Sequence, residues 1–194
     1  MIFDDDPEMK EYQLPQYKNK HTDIDKINTL DFIEQKLNGN LNIAKEIGIF
    51  LGIQILSVNL NIKLYALYNI SEFFSECEMI EKNKKILFFF AAFSAIENTI
   101  KNEYVLSATK SSMEEYLRTN DIEFYNTITS SINISLYMIC KRYKKDDTNC
   151  YGKYFATLCN KKNNSKLITT GNMFYKFFYN LSKGIIKKYE NICS

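Results

Sequence analysis

The sequence predicts an all-α fold: a single-domain helical bundle of about six to eight helices with a flexible acidic N-terminal arm. Three observations lead there. Proline occurs only as Pro7 and Pro15, so nothing beyond residue 15 forbids long helices. Glycine is sparse, six residues in 194, whereas all-β domains usually need more Gly and Pro for their many turns. Apolar residues recur at helical spacing in most segments, strand signals are weak, and a hydrophobic content of 45% is enough for a sizeable core.

Residues 1–21 carry acids, both prolines and no clear period, and read as the arm; residues 22–194 read as the helical domain. Thr22 or Asp23 can cap the first helix. Ile24, Ile27, Leu30, Ile33 and Leu37 give it a face, and Asn38-Gly39-Asn40 is expected to end it, because Asn and Gly tolerate the left-handed conformation. Residues 41–60 form an expected second helix, apolar on nearly all sides and therefore central. Gly48 and Gly52 share a face on which another helix can approach closely. A short helix is expected over 62–78. The clearest helix spans 81–107, through ILFFFAAFSAI, and 111–117 adds one short turn of helix. Asn120 and Asp121 can cap a long helix over 122–143. A charged loop at 144–149, a helix at 151–159, a polar loop at 161–166 and a last helix at 171–191 complete the chain. β-Branched residues in 47–58 and 126–135 leave a strand alternative open there.

Charge is split end to end. Residues 1–40 carry net −4 and residues 41–140 net −3, while residues 141–194 hold twelve basic and three acidic side chains, net +9. Such asymmetry points to an anionic partner. On a helical wheel with Met173 at the origin, Phe174, Phe177, Phe178, Leu181, Ile185 and Ile192 fall between roughly 40° and 140°. Lys176, Lys183 and Lys187 fall between roughly 280° and 320°, on the opposite side. Tyr175 and Tyr179 lie nearby and are candidates for stacking on bases. Lys141, Arg142, Lys144 and Lys145 form a second basic cluster, and Lys161-Lys162 a third. The alternative for all of them is an amphipathic helix whose lysines face water and complement the helix dipole. Asp4-Asp5-Asp6 in the arm is complementary to this basic part by charge alone.

Signals for chemistry are poor. His21 is the single histidine and lies in the arm. The five cysteines are Cys77, Cys140, Cys150, Cys159 and Cys193, with no CxxC; the spacings of 140, 150 and 159 do not fit zinc, so buried free thiols in a reducing compartment are expected. Glu114-Glu115 and Asp146-Asp147 are acid pairs without an ExxH and read as solvated. No P-loop, GxGxxG, HExxH or GxSxG occurs, and no cofactor or metal is expected. The longest apolar runs reach about a dozen residues where a membrane span needs roughly 20. Heavy use of Lys, Asn, Ile and Tyr looks like coding from an AT-rich genome. A cytoplasmic location, or an intracellular one in a host, is the expectation.

Residues 43–52, IAKEIGIFLG, superficially resemble the helix-turn-helix of tetracycline-repressor-type regulators, with Ala44 at its small residue and Gly48 at its turn glycine. Residues 51–58 are apolar and lack a basic residue, whereas a recognition helix presents polar side chains to base edges. No functional residue is carried over. The sequence therefore favours a non-enzymatic binding or regulatory protein acting through a helical surface, with a protein partner or with itself through the Gly48/Gly52 face. The alternatives are a nucleic-acid-binding regulator using the basic C-terminal face, and an enzyme with a site built from dispersed acids and tyrosines.

Overall fold

A computed structural model of the chain describes residues 22–57, 78–130, 132–142 and 149–189. The expected arm at 1–21, most of the expected helix at 62–78 and the loop at 144–148 lie outside them. Among the described residues there are seven helices and no strand. They are α1 (Thr22–Leu56), α2 (Glu78–Thr99), α3 (Glu103–Asn120), α4 (Ile122–Ser130), α5 (Ile132–Arg142), α6 (Cys150–Leu158) and α7 (Ser165–Lys187). Contacts divide the chain into Met1–Leu37 and Asn38–Ser194. Among the described residues, the buried core belongs to the second unit.

Several helix boundaries differ from expectation, among them the start of α7 at Ser165 instead of 171. Gly39 does not end the first helix: α1 runs through it, and no glycine among the described residues has a positive φ. A mid-helix glycine costs only about 1 kcal/mol. That is less than the orphaned backbone groups of two extra helix ends. The expected helix over 81–107 is instead broken after Thr99. Asn102 is extended there (φ −74°, ψ 119°) and its side chain accepts from the N–H groups of Tyr104 at 3.0 Å and Val105 at 3.2 Å, capping α3. The expected turn at 111–117 is the middle of that helix. Asp121 caps α4 as expected, accepting from the Phe124 N–H at 3.0 Å. The expected helix over 122–143 comprises α4 and α5.

The core is built around α2. Ile86 through Ala92 are all buried, so the helix is enclosed on every side there, and Ser94, Ala95 and Ile96 are buried beyond a half-buried Phe93. Helix α7 packs along it. Phe88 and Phe178 stack with centroids 4.3 Å apart and planes 6° from parallel. Phe90 meets the rings of Tyr137, Tyr151 and Tyr175 at 5.4, 5.9 and 6.1 Å. Asn83, buried on α2, donates to the carbonyl of Leu158 at 3.0 Å and so ties α2 to the end of α6.

The α6–α7 hairpin is set by asparagines and glycines. Asn160 adopts φ 56°, its N–H reaches the Thr157 carbonyl at 3.0 Å and the Lys161 N–H reaches that of Ala156 at 2.8 Å, closing α6 in a Schellman motif. Asn164 caps α7 by accepting from Leu167 at 3.0 Å. At the other end of α6, Asn172 of α7 does the capping: its Oδ1 accepts from the Gly152 N–H at 2.7 Å, and its Nδ2 donates to Asn149 at 3.0 Å. Gly152 and Gly171 let the two helices touch. A methyl group on Gly171 would sit 2.8 Å from Cβ of Phe155 and 3.0 Å from Cα of Gly152.

The thiol expectation is corrected for Cys140 and Cys150, while Cys77 and Cys193 lie outside the described residues. Cys140, at the end of α5, and Cys150, at the start of α6, are joined by a disulfide with Cα atoms 5.7 Å apart. Their separation of ten residues closes a short loop at small entropic cost, which cysteine count and spacing do not reveal. Cys159 is buried, as expected. No described helix is long and apolar enough to cross a membrane.

Candidate partner-binding surface

Residues 149–189 contain eight lysines and no acidic residue. The fold decides where those charges go. Helix α7 commits Leu167, Gly171, Phe174, Tyr175, Phe178, Ile185 and Ile186 to the core. Lys176 and Lys187 are exposed on the other side and Lys183 is half-exposed. At 1.5 Å rise per residue these three run along one side of the helix for roughly 16 Å. Lys153, Lys161, Lys162, Lys166 and Lys188 are exposed or half-exposed as well. Among the described residues, no carboxylate forms an ion pair with Lys161, Lys162, Lys166, Lys176, Lys183 or Lys188.

The other basic cluster is placed differently. Arg142 is exposed at the end of α5. Lys141 turns inward, and its ammonium donates to Oε2 of Glu97 on α2. Lys110 on α3 donates to Oε1 of the same carboxylate at 2.7 Å and sits 4.0 Å from the centroid of the Phe93 ring. One carboxylate thus joins α2, α3 and α5. Burial raises the Glu97 pKa, but the hydrogen bonds and charges of Lys110 and Lys141 outweigh it and hold the carboxyl below its ordinary range. Lys144 and Lys145 lie outside the described residues.

The tyrosines divide too. Tyr175 is buried and stacked on Tyr151 at 3.7 Å, so its ring is not presented to solvent. Tyr179 is half-buried, and its hydroxyl accepts from Asn98 at 3.2 Å. No protein-family model, curated protein or solved structure matches the chain.

Gly48 and Gly52 do form a close helix face, and α3 of the same chain occupies it. A methyl group on Gly48 would collide with the Thr109 carbonyl oxygen and lie 2.9 Å from the Met113 nitrogen; one on Gly52 would lie 2.7 Å from Cδ1 of Tyr116. Gly48 lies inside α1, so the helix-turn-helix likeness at 43–52 has no turn. The outer side of α1 exposes Ile49, Phe50 and Ile53. Beside it, Lys45 and Ile49 of α1 face Ser112, Tyr116 and Asn120 of α3 across a groove of about 550 Å³.

The buried tyrosines do not join the acids. Tyr137, Tyr151 and Tyr175 are buried around Phe90, and burial pushes all three hydroxyls up, which keeps them neutral. Glu115 is exposed and paired with Arg118 at 2.7 Å. Glu114 is half-buried against a separate apolar cavity, and burial raises its carboxyl while Lys110 partly offsets this. Asp146 and Asp147 lie outside the described residues. Among the described residues, no group of three His, Cys, Asp or Glu side chains is placed to hold a metal.

Sequence reasoning missed Glu97, Lys110 and Asn172, and it read Glu114 as solvated where the side chain is half-buried. For Glu97 a signal existed: it is the one acid in the segment ILFFFAAFSAIENTI, where a charge needs a partner.

Proposed function

We propose that this chain is a binding protein that works through the outward side of the α6–α7 hairpin, on a protein partner with an acidic surface. The observation that carries this reading is that lysine is the only charged residue type in 149–189, a segment whose apolar side is consumed by the core. A charge on such a surface does little for folding but steers encounter and sets specificity. The inward position of Tyr175 removes one of the two rings singled out for base stacking, which supports a protein partner over a single-stranded nucleic acid.

The nucleic-acid reading is favoured by the same row of lysines, since phosphates ask only for positive charge. Fluorescence anisotropy with labelled polyglutamate and with single-stranded DNA of matched charge separates the two. The proposal expects polyglutamate to bind at least as tightly as DNA, with affinity falling steeply between low and physiological salt. DNA binding much more tightly would transfer the assignment to nucleic acid. Salt-independent or absent binding of both would remove the hairpin surface as a functional site.

A further inference from the structure

A cavity of about 180 Å³ lies among α2, α3, α4 and α5. Its walls include Phe89, Phe93, Tyr125, Ile128 and Met138, and one carboxylate, Glu114, reaches it. We propose that it binds a small, neutral aromatic molecule carrying one hydrogen-bond donor, of the phenol or aryl-alcohol class, with Glu114 receiving the donor. This proposal is independent of the hairpin surface.

Three observations define the guest. The volume is close to that of an apolar protein cavity of roughly 150 Å³ that holds benzene, so one aromatic ring fits and two do not. Apart from Glu114 and Thr129 the walls are aromatic and aliphatic, which suits a planar apolar body. Glu114 has no hydrogen-bond or ion-pair partner among the described residues, while its neighbour Lys110 is already engaged by Glu97 and by the Phe93 ring. A carboxyl oxygen without a partner accepts a hydrogen bond, so a guest that donates one suits it.

Charge decides that the guest is neutral. Glu97 and Glu114 stand against Lys110 and Lys141, two negative and two positive groups, so the surroundings already balance. A carboxylate brought into this apolar space would be desolvated and repelled by Glu114, and an ammonium would give up its hydration for a single contact with a carboxylate that Lys110 already influences. A hydroxyl meets the free acceptor and adds no charge.

The test uses the full chain with phenol, toluene and benzylamine as probes, followed through the methyl signals of Ile128 and Met138 by NMR. Phenol is expected to shift these methyls saturably and to bind about tenfold tighter than toluene, the effect of a hydrogen bond to a charged group. Glu114→Leu should bring phenol to the level of toluene, and Glu114→Gln, which keeps an acceptor, should retain part of the preference. The phenol-to-toluene ratio in the unaltered chain tests the idea even where a variant folds poorly. Absence of a saturable shift at Ile128 and Met138, or a phenol preference that survives Glu114→Leu, would overturn the site. Benzylamine binding tightest would overturn the neutral guest.

Discussion

Lys141 and Lys176 look alike in the sequence, as two lysines of one basic C-terminal part. The fold treats them differently. Lys141 ends a helix beside α2, and Glu97 reaches it across 44 residues of chain, so its charge becomes part of the architecture. Lys176 stands on the far side of a helix whose inner side is full of rings, and no described carboxylate pairs with it. A positive charge becomes structural when another element brings a carboxylate within hydrogen-bond range. Where none does, the charge remains available to whatever approaches from solution.

The inner side of α7 offers the largest test of that contrast. Gly171→Val forces a branched side chain against Phe155 and the Gly152 backbone, and should lower unfolding free energy by about 3 kcal/mol or more in urea titrations. A loss under about 1 kcal/mol, the ordinary effect of a point substitution, would mean that the hairpin is not closed at this crossing.

The three-helix ion cluster comes next. Glu97→Gln should cost about 1–2 kcal/mol, since the carboxylate is about two-thirds covered and receives two charged donors. The sign with pH follows from the depressed pKa of Glu97. Its contribution is fully present above the ordinary carboxylate range and is lost as pH falls through the folded-state value. The variant and the parent should therefore converge in stability on acidification. Curves that stay parallel down to acid pH would show that Glu97 does not hold the cluster.

The smallest stability effect belongs to the outer side. Replacing Lys176, Lys183 and Lys187 together by Gln should change stability by about 0.5 kcal/mol or less per site, because surface charges contribute little to folding. A loss of several kcal/mol in thermal or urea unfolding would make these lysines structural and erase the contrast with Lys141.

How much of this is legible in the sequence depends on the range of each determinant. The central helix is legible because ILFFFAAFSAI carries no polar side to expose. The Gly48/Gly52 face is legible because four-residue spacing places both glycines on one side of a helix; that α3 is its occupant is not, since the pairing partner lies some sixty residues on. The break before α3 is hidden because Lys101-Asn102-Glu103 reads as an ordinary polar turn of helix, and only the extended backbone of Asn102 shows the cap. The asparagines invite dismissal as compositional bias, yet Asn102, Asn160, Asn164 and Asn172 each close or cap a helix end. Lys141 reads as a surface charge because its partner is far away in the chain. The stripe of Lys176, Lys183 and Lys187 is legible in full, because helical periodicity and the apolar side are both local.

The most direct measurement is a titration of labelled polyglutamate against the unaltered chain, Lys141→Met and the triple Lys176/Lys183/Lys187→Gln variant at low salt. The triple variant should weaken binding by roughly tenfold or more, the scale of electrostatic focusing by a charged face. Lys141→Met should bind within about twofold of the unaltered chain while losing stability, because a screened, paired charge adds little to the outer field. Equal losses in both variants, or no loss in the triple variant, would contradict the division between an architectural and an outward-facing lysine.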